Sequence, residues 1–448
     1  MWQAANLTPL ISGESGRDAW GQVQPPSFGR TLGWVWELSS GDSMSSVSSI
    51  PRVMILQMCN WFGAPRLPKA FRRAGFHVTT FGFPGLLMQR VQCVDESLLV
   101  SESISRDELV AALLDAMEHC RADLVIPTDD TTILLLHTAA MVARRSGRSA
   151  SVHATLQRSL GNATYCPTVR SRKLLAAFAA QVGVRQPQFA AVFTEADALQ
   201  FASDHGYPVV LKVEESAAGF GVFICRDEVA LRAALLQASR HPAIFAAGLL
   251  AQTFVEGRTA MRVVAVQDGR VLGGLSAIKL ETWPSSTGPS TCVEFIEHAE
   301  MRATTETLLS KLGYSGFASL DFMLDSEGRA YLIELNPRPT PIAHLGERLG
   351  SCLCRHLHAA LTGQPSKAGE PQGLPSRVAL FPQEWVRDQN SRHLESGVFH
   401  DVPWDEPDLV EGYLSMGRSQ MRYSSYYLAD QRNDALRTKL AELEAESS

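Results

Sequence analysis

From Arg52 onward, short apolar runs alternate with stretches whose apolar residues recur at helical spacing. Val53-Met54-Ile55-Leu56 has the pattern of a buried strand; a Gly/Pro turn follows, and Pro68 to Ala74 reads as a helix that Gly75 closes. His77 to Phe81 predicts the next strand and Arg106 to Cys120 a second helix. Asp123 to Pro127 then predicts a further strand, with Thr128-Asp129-Asp130 at its end. Strands alternating with helices imply a parallel sheet covered on both faces. In such sheets ligands bind at the loops that follow the strands.

Beyond this region the texture changes from α/β to α+β. Arg170 to Gly183 predicts one amphipathic helix, Phe189 to Phe193 a strand and Glu195 to Asp204 a helix. Pro208 to Val213, the small-residue loop Ser216 to Gly221 and Val222 to Cys225 form a strand, loop, strand unit. Leu249 to Val255, Met261 to Val266 and Val271 to Lys279 read as antiparallel strands, the last two joined by a tight Asp268-Gly269 turn. Ala318 to Leu324 and Ala330 to Leu335 predict another hairpin, and Val378 to Trp385 a core strand. Residues 1–50 are rich in Ser, Gly, Pro and Gln without periodicity and read as a disordered tail, with Met44 a candidate start of translation. Asp430 to Ser448 reads as a polar terminal helix.

With 448 residues, 45% hydrophobic and 20% charged, the chain is long enough for about three ordinary domains and is neither a coiled coil nor a disordered chain. A net charge of −6 gives no general footprint for nucleic acid or an anionic membrane, which leaves small molecules as the expected partners. The eight Cys contain no CxxC pair and read as reduced thiols. The chain shows neither an uninterrupted apolar run of about twenty residues nor a basic leader followed by an apolar stretch, so the expected location is the cytoplasm.

Three groups of residues carry chemistry. Lys212 ends an apolar strand seven residues before Gly219-Phe220-Gly221. Glycines let backbone N–H groups approach phosphate oxygens, and a strand-borne lysine adds charge, although an ordinary hairpin with a solvated lysine has the same pattern. Asp321, Glu334 and Asn336 lie on one predicted hairpin, and the spacing of two between Glu334 and Asn336 sends both side chains to one face. Such oxygen donors suit Mg²⁺. In Asn336-Pro337-Arg338-Pro339 the prolines hold the chain extended around a guanidinium suited to a carboxylate or phosphoryl oxygen. By contrast, Cys352 and His356 share a helical face while Cys354 and His358 point away, so this segment reads as structural helix. His344 follows the loop after Arg338 and could approach a site there, but a lone His is more often a packed or capped residue.

Taken in order, Lys173 with its helix, Lys212 with the glycine loop, Gln252-Thr253-Phe254-Val255-Glu256-Gly257 and the Asp321, Glu334, Asn336 set resemble the landmarks of the ATP-grasp superfamily of ATP-dependent ligases, over about residues 52–365. The resemblance implies a pre-ATP-grasp parallel-sheet domain over 51–160, a two-lobed ATP-grasp domain over 161–365 with a lid at about 186–255, and a C-terminal region over 366–448 packed on the core. It further implies that Lys173 and Lys212 contact ATP phosphates under a lid that includes Ser216, Gly219 and Gly221. Gln252 and the backbone at Phe254 and Val255 would face adenine. Thr259 stands where many members have a ribose-binding glutamate, a role Glu256 would fill. Asp321, Glu334 and Asn336 would hold one or two Mg²⁺ or Mn²⁺ ions, and Arg262 and Arg338 would face the acyl substrate. The implied activity joins a small-molecule carboxylate to an amine acceptor through an acyl phosphate, as an amino acid or peptide ligase of specialised metabolism would, in a chain free to form a homo-oligomer. A carboxyphosphate-forming carboxylase and a non-catalytic ATP-binding regulator are the competing readings.

Overall fold

The computed structural model describes residues 50–214, 219, 221–240, 245, 247–365 and 376–416. The expected tail over 1–50, Ser216 and the expected terminal helix lie outside them.

The first sheet is built from β1 (Arg52–Gln57), β2 (His77–Gly82), β3 (Glu96–Leu99) and β4 (Leu124–Pro127), all parallel in the order β3-β2-β1-β4. Side chains alternate along β1 with period two. Val53 and Ile55 pack beside α1 (Leu67–Ala74), whereas Met54 and Leu56 pack in a separate core with residues of α2 (Arg106–His119), α3 (Asp130–Ser146) and α4 (Ala150–Leu160). Gly75 ends α1 in the left-handed conformation that its lack of a Cβ permits. Asp129 caps α3 by accepting from Thr132 N at 2.8 Å.

The helix predicted over Arg170 to Gly183 is two helices, α5 (Cys166–Arg170) and α6 (Arg172–Gln181), separated by an extended Ser171 that caps α6. A four-stranded antiparallel sheet follows, built from β5 (Phe189–Val192), β6 (Val209–Val213), β7 (Val222–Cys225) and β8 (Leu249–Thr253) in the order β5-β8-β6-β7. One face, carrying Val209, Leu211 and Ala251, packs against α7 (Glu195–His205) and α8 (Glu228–Ser239). The opposite face carries Val210, Lys212 and Gln252.

The largest sheet has seven strands: β9 (Arg258–Gln267), β10 (Arg270–Thr282), β11 (Ser290–Ile296), β12 (Gly316–Leu324), β13 (Ala330–Asn336), β14 (Arg377–Leu380) and β15 (Phe399–Asp401), in the order β13-β12-β9-β10-β11-β14-β15. Asp268 and Gly269 both take positive φ in the turn between β9 and β10, as a two-residue hairpin requires. The predicted core strand over Val378 to Trp385 stops at Leu380. Pro382, which has no N–H to continue a ladder, precedes the short helix α11, preceded in the chain by α9 (Ala299–Leu312) and α10 (Leu353–Thr362) and itself covering Gln383–Arg387. The final helix, α12, spans Pro407–Ser415.

One apolar core joins the parallel sheet to the seven-stranded sheet. Phe71 of α1 is fully buried and meets Phe76 and Phe317 edge-on at 5.1 and 6.0 Å. Phe71→Ala is expected to destabilise the chain by about 3–5 kcal/mol, read as a loss of denaturation midpoint, because the cavity spans both sheets and neither can close it alone.

Candidate active site

A cavity of about 200 Å³ lies between the inner face of the four-stranded sheet and the seven-stranded sheet. Its polar wall is set by a bulge. In the β12–β13 ladder Asp321 pairs with Glu334 and Phe322 with Leu332, which leaves Ile333 as an extra residue. Leu332 and Leu335 therefore point into the core, while Ile333, Glu334 and Asn336 line the cavity with Asp321.

Cations converge on these carboxylates. Arg172, the first residue of α6, donates from Nη2 to Glu334 Oε1 at 2.5 Å and from Nη1 to Val213 O at 2.6 Å. Lys212 of β6 is buried and donates to Ile333 O at 3.3 Å. Lys279 of β10 donates to Asp321 Oδ2 at 2.9 Å. Arg338 is buried, donates from Nε to Asp130 Oδ1 at 2.9 Å and lies 4.8 Å from the centre of the Trp61 ring.

Burial moves the Lys212 ammonium down to about 8, against the opposing pull of Glu334. The same burial works against ionisation of Glu334, but Arg172 and Lys212 more than offset it and hold the carboxyl below its ordinary value. Burial works against the charge on Arg338, but Asp130, joined by Glu334 and Asp129, more than offsets it and holds the guanidinium charged. Among the described residues of this cavity, four cations (Arg172, Lys212, Lys279, Arg338) face two carboxylates (Asp321, Glu334). Val210, Val222, Ile224, Phe254 and Met323 supply apolar lining. Oxygen donors from Asp321, Glu334 and Asn336 on adjacent strands fit a hard divalent ion such as Mg²⁺ or Mn²⁺.

The cavity also gathers Gly219, Gln252, Phe254, Val255 and Thr259. Gly219 has φ +77°, and a Cβ there would lie 2.2 Å from Thr287 O, so only glycine fits this approach; Gly221 follows, also at positive φ, and its carbonyl accepts from Val213 N. The Phe254 N–H is directed to Pro208 O at 3.3 Å.

Three expectations are corrected. Lys173 is not in the cavity: the break at Ser171 turns Arg172 inward, while Lys173 Nζ donates to Ala247 O and lies 5.0 Å from the Phe193 ring. Arg262 lies on the opposite face of β9. Met261 lines the cavity, and the alternation of the strand sends Arg262 to the other side, where it donates to Ser276 Oγ at 2.9 Å. Glu256 is exposed and does not line the cavity. His344 is the packed histidine that a lone His most often is: it is buried 2.9 Å from Asp401, which also pairs with Arg66, and does not line the cavity. The described residues contain no cluster of three or more His, Cys, Asp or Glu able to hold a metal, and His358 of the Cys/His segment packs edge-on against Phe76.

Sequence reasoning missed Arg172, Lys279, Trp61 and Asp130. Ser171 was the available signal for Arg172, since a serine opening an amphipathic run marks a helix start.

A parallel sheet followed by two further sheets that face each other across a cationic cavity is the layout of an ATP-grasp fold preceded by a pre-ATP-grasp domain. Residues 171–345 match the family model described as carbamoyl-phosphate synthase L chain, ATP binding domain. The chain is 29% identical over 178 residues to a D-alanine--D-alanine ligase of Cupriavidus metallidurans, covering 36% of this chain and 52% of that protein. It is 26% identical over 229 residues to the carbamoyl phosphate synthase large chain of Gemmatimonas aurantiaca, covering 47% of this chain and 20% of that one. The chain thus spans about half the length of the curated ligases it matches, or less. A biotin carboxylase structure from Campylobacter jejuni superposes with TM-score 0.56 at 16% identity, covering 73% of this chain and 74% of the other. This likeness shows the fold.

Proposed function

We propose that the protein is an ATP-dependent ligase that activates a carboxylate as an acyl phosphate, releases ADP, and joins the acyl group to an amine. The observation that carries this reading is the excess of four cations over two carboxylates in one cavity that also offers apolar lining. Such a wall suits a polyphosphate and a carboxylate, two anions that repel each other unless fixed positive charge offsets the repulsion.

In this reading Arg172 and Lys212 face the phosphates, and the apolar lining beside Gln252 receives the base. Asp321, Glu334 and Asn336 would hold Mg²⁺ or Mn²⁺, which when bound offsets phosphate charge. Arg338 orients the carboxylate. Its oxygen attacks the γ-phosphorus, the bond to the bridging oxygen breaks, and the electron pair leaves on ADP. The amine then attacks the acyl carbon, phosphate departs and the amine proton is lost to water. Gly219, seated against Thr287, closes one side of the cavity and limits the access of water to the acyl phosphate.

The test is product analysis with ATP, Mg²⁺ and pooled carboxylates and amines, with and without bicarbonate. ADP and phosphate formed only when the pool is present support the reading, whereas AMP and pyrophosphate overturn it. The match to the carbamoyl-phosphate synthase domain favours a second reading, with bicarbonate as the carboxylate activated; ADP release that depends on bicarbonate alone selects it.

Lys212 gives this reading a pH signature. A lysine at about 8 is charged at pH 7, and bound phosphate raises its value further, so affinity is full below pH 8 and weakens as pH rises through it. The dissociation constant for MgATP is expected to rise up to about tenfold between pH 7 and 9. Lys212→Arg, whose charge does not titrate there, should flatten the profile. An equal slope in both proteins would remove Lys212 from the phosphates.

A further inference from the structure

A second cavity, of about 90 Å³, adjoins the first and shares Arg172, Glu334 and Asn336 with it. Asp130 lines this second cavity, while its partner Arg338 lines the first. The 2.9 Å ion pair between them therefore bridges the two spaces, with Arg338 buried and the Asp130 side chain 47% exposed.

The remaining charges on the second wall are already engaged. Arg172 pairs with Glu334, the Glu214 carboxylate accepts from Ser171 Oγ, and Arg170 has an interaction of its own. The remaining lining is apolar, supplied by Ile133 and Leu134 of α3, Val169 of α5 and Leu175 of α6. A space of this size holds about three waters at roughly 30 Å³ each and is smaller than the ~150 Å³ cavity that accepts benzene.

We propose that the activated carboxylate is an α-amino acid with a small branched aliphatic side chain, its carboxylate on Arg338, its ammonium on Asp130 and its side chain in the second cavity. The proposal rests on the ligase reading above. A zwitterion substitutes for the Asp130–Arg338 pair charge for charge: its carboxylate meets the buried guanidinium, which water does not serve, and its ammonium takes the guanidinium's place at the half-exposed Asp130. A simple carboxylic acid would satisfy Arg338 but strip Asp130 of its partner. An aromatic side chain exceeds the space, and a charged one finds no unengaged counter-charge among these groups.

The experiment measures ADP release from MgATP with a mixed amine pool and single amino acids, in the wild-type chain, Ile133→Trp and Ile133→Ala. Leucine, valine or isoleucine is expected to stimulate release at least about tenfold more than glycine, glutamate or phenylalanine. Ile133→Trp fills the cavity and should raise the KM for the aliphatic amino acid about tenfold or more, with MgATP affinity within about twofold of wild type. Ile133→Ala enlarges the cavity, should shift preference toward phenylalanine, and carries the test if the tryptophan variant does not fold. Stimulation by bicarbonate or a non-amino carboxylate with none from aliphatic amino acids overturns the assignment and leaves the ligase reading intact. Indifference of amino acid preference to both substitutions overturns it as well. AMP formation, or failure to bind MgATP, overturns both readings together.

Discussion

Glu334→Gln is expected to lower the rate of ADP release by about 10²–10³-fold with the fold intact, the range found when one preorganised electrostatic group is removed from an active site. The amide has the shape of the carboxylate and still accepts from Arg172 Nη2, so the link from α6 to β13 persists. What it lacks is the negative charge that Arg172 and Lys212 hold in place and that a divalent ion would need. Glu334→Ala is the poorer variant, because it leaves the buried Arg172 without its carboxylate and mixes a stability loss with the catalytic one. The check is kcat with the denaturation midpoint measured on the same preparation. A folded Glu334→Gln protein with near wild-type turnover would sink the metal assignment.

Arg338→Lys is expected to cost about 10²-fold or more in kcat while MgATP affinity stays near wild type. The guanidinium has two simultaneous constraints, a hydrogen bond from Nε to Asp130 and a ring contact with Trp61, and a lysine ammonium reproduces neither the planar fork nor the stacking. Fixed between the two, Arg338 presents its remaining N–H groups toward the cavity at little further entropic cost. Stability should change little on the Asp130 side, because that carboxylate is half exposed and water can take over its solvation. The kinetic split decides the role. A loss confined to kcat and to the KM of the carboxylate places Arg338 at the acyl group, and an equal loss of nucleotide affinity would move it to the phosphates.

The main elements of the fold were legible from local pattern. The apolar run at Val53 and the Gly75 stop announced a parallel-sheet unit, and Asp268-Gly269 announced its hairpin, because these signals act over a few residues and do not depend on what packs against them. β3, α3, α4, α8, β11, α9, β15 and α12 were not anticipated. The Val378 strand was read too long, because apolar content alone does not separate a short strand from the helix that follows a proline.

The candidate site divides along the same line. The spacing of Glu334 and Asn336 placed both on one face, and the structure shows why that face is the cavity: the extra residue Ile333 resets the alternation that would otherwise turn Glu334 toward the core. Arg262 was misplaced because a lone arginine on a strand does not reveal which of two faces is buried against a helix. Lys173 was misplaced by a single position, and on a helix one residue is about 100° of rotation.

By itself, then, the amino-acid sequence determined the change from a parallel-sheet unit to an α+β region, the stops at Gly75 and Asp268-Gly269, the resemblance to ATP-grasp ligases and the placing of Asp321, Glu334 and Asn336 on one hairpin. Only the tertiary structure decided that Arg172 and Lys279 are the partners of those carboxylates, that His344 serves Asp401 instead of the site, and that Asp130 and Arg338, far apart in the chain, join two cavities. The reason is physical. Side-chain direction along a helix or strand follows from backbone geometry over a few residues, whereas the meeting of charged groups from distant segments depends on how whole elements pack to bury their apolar faces.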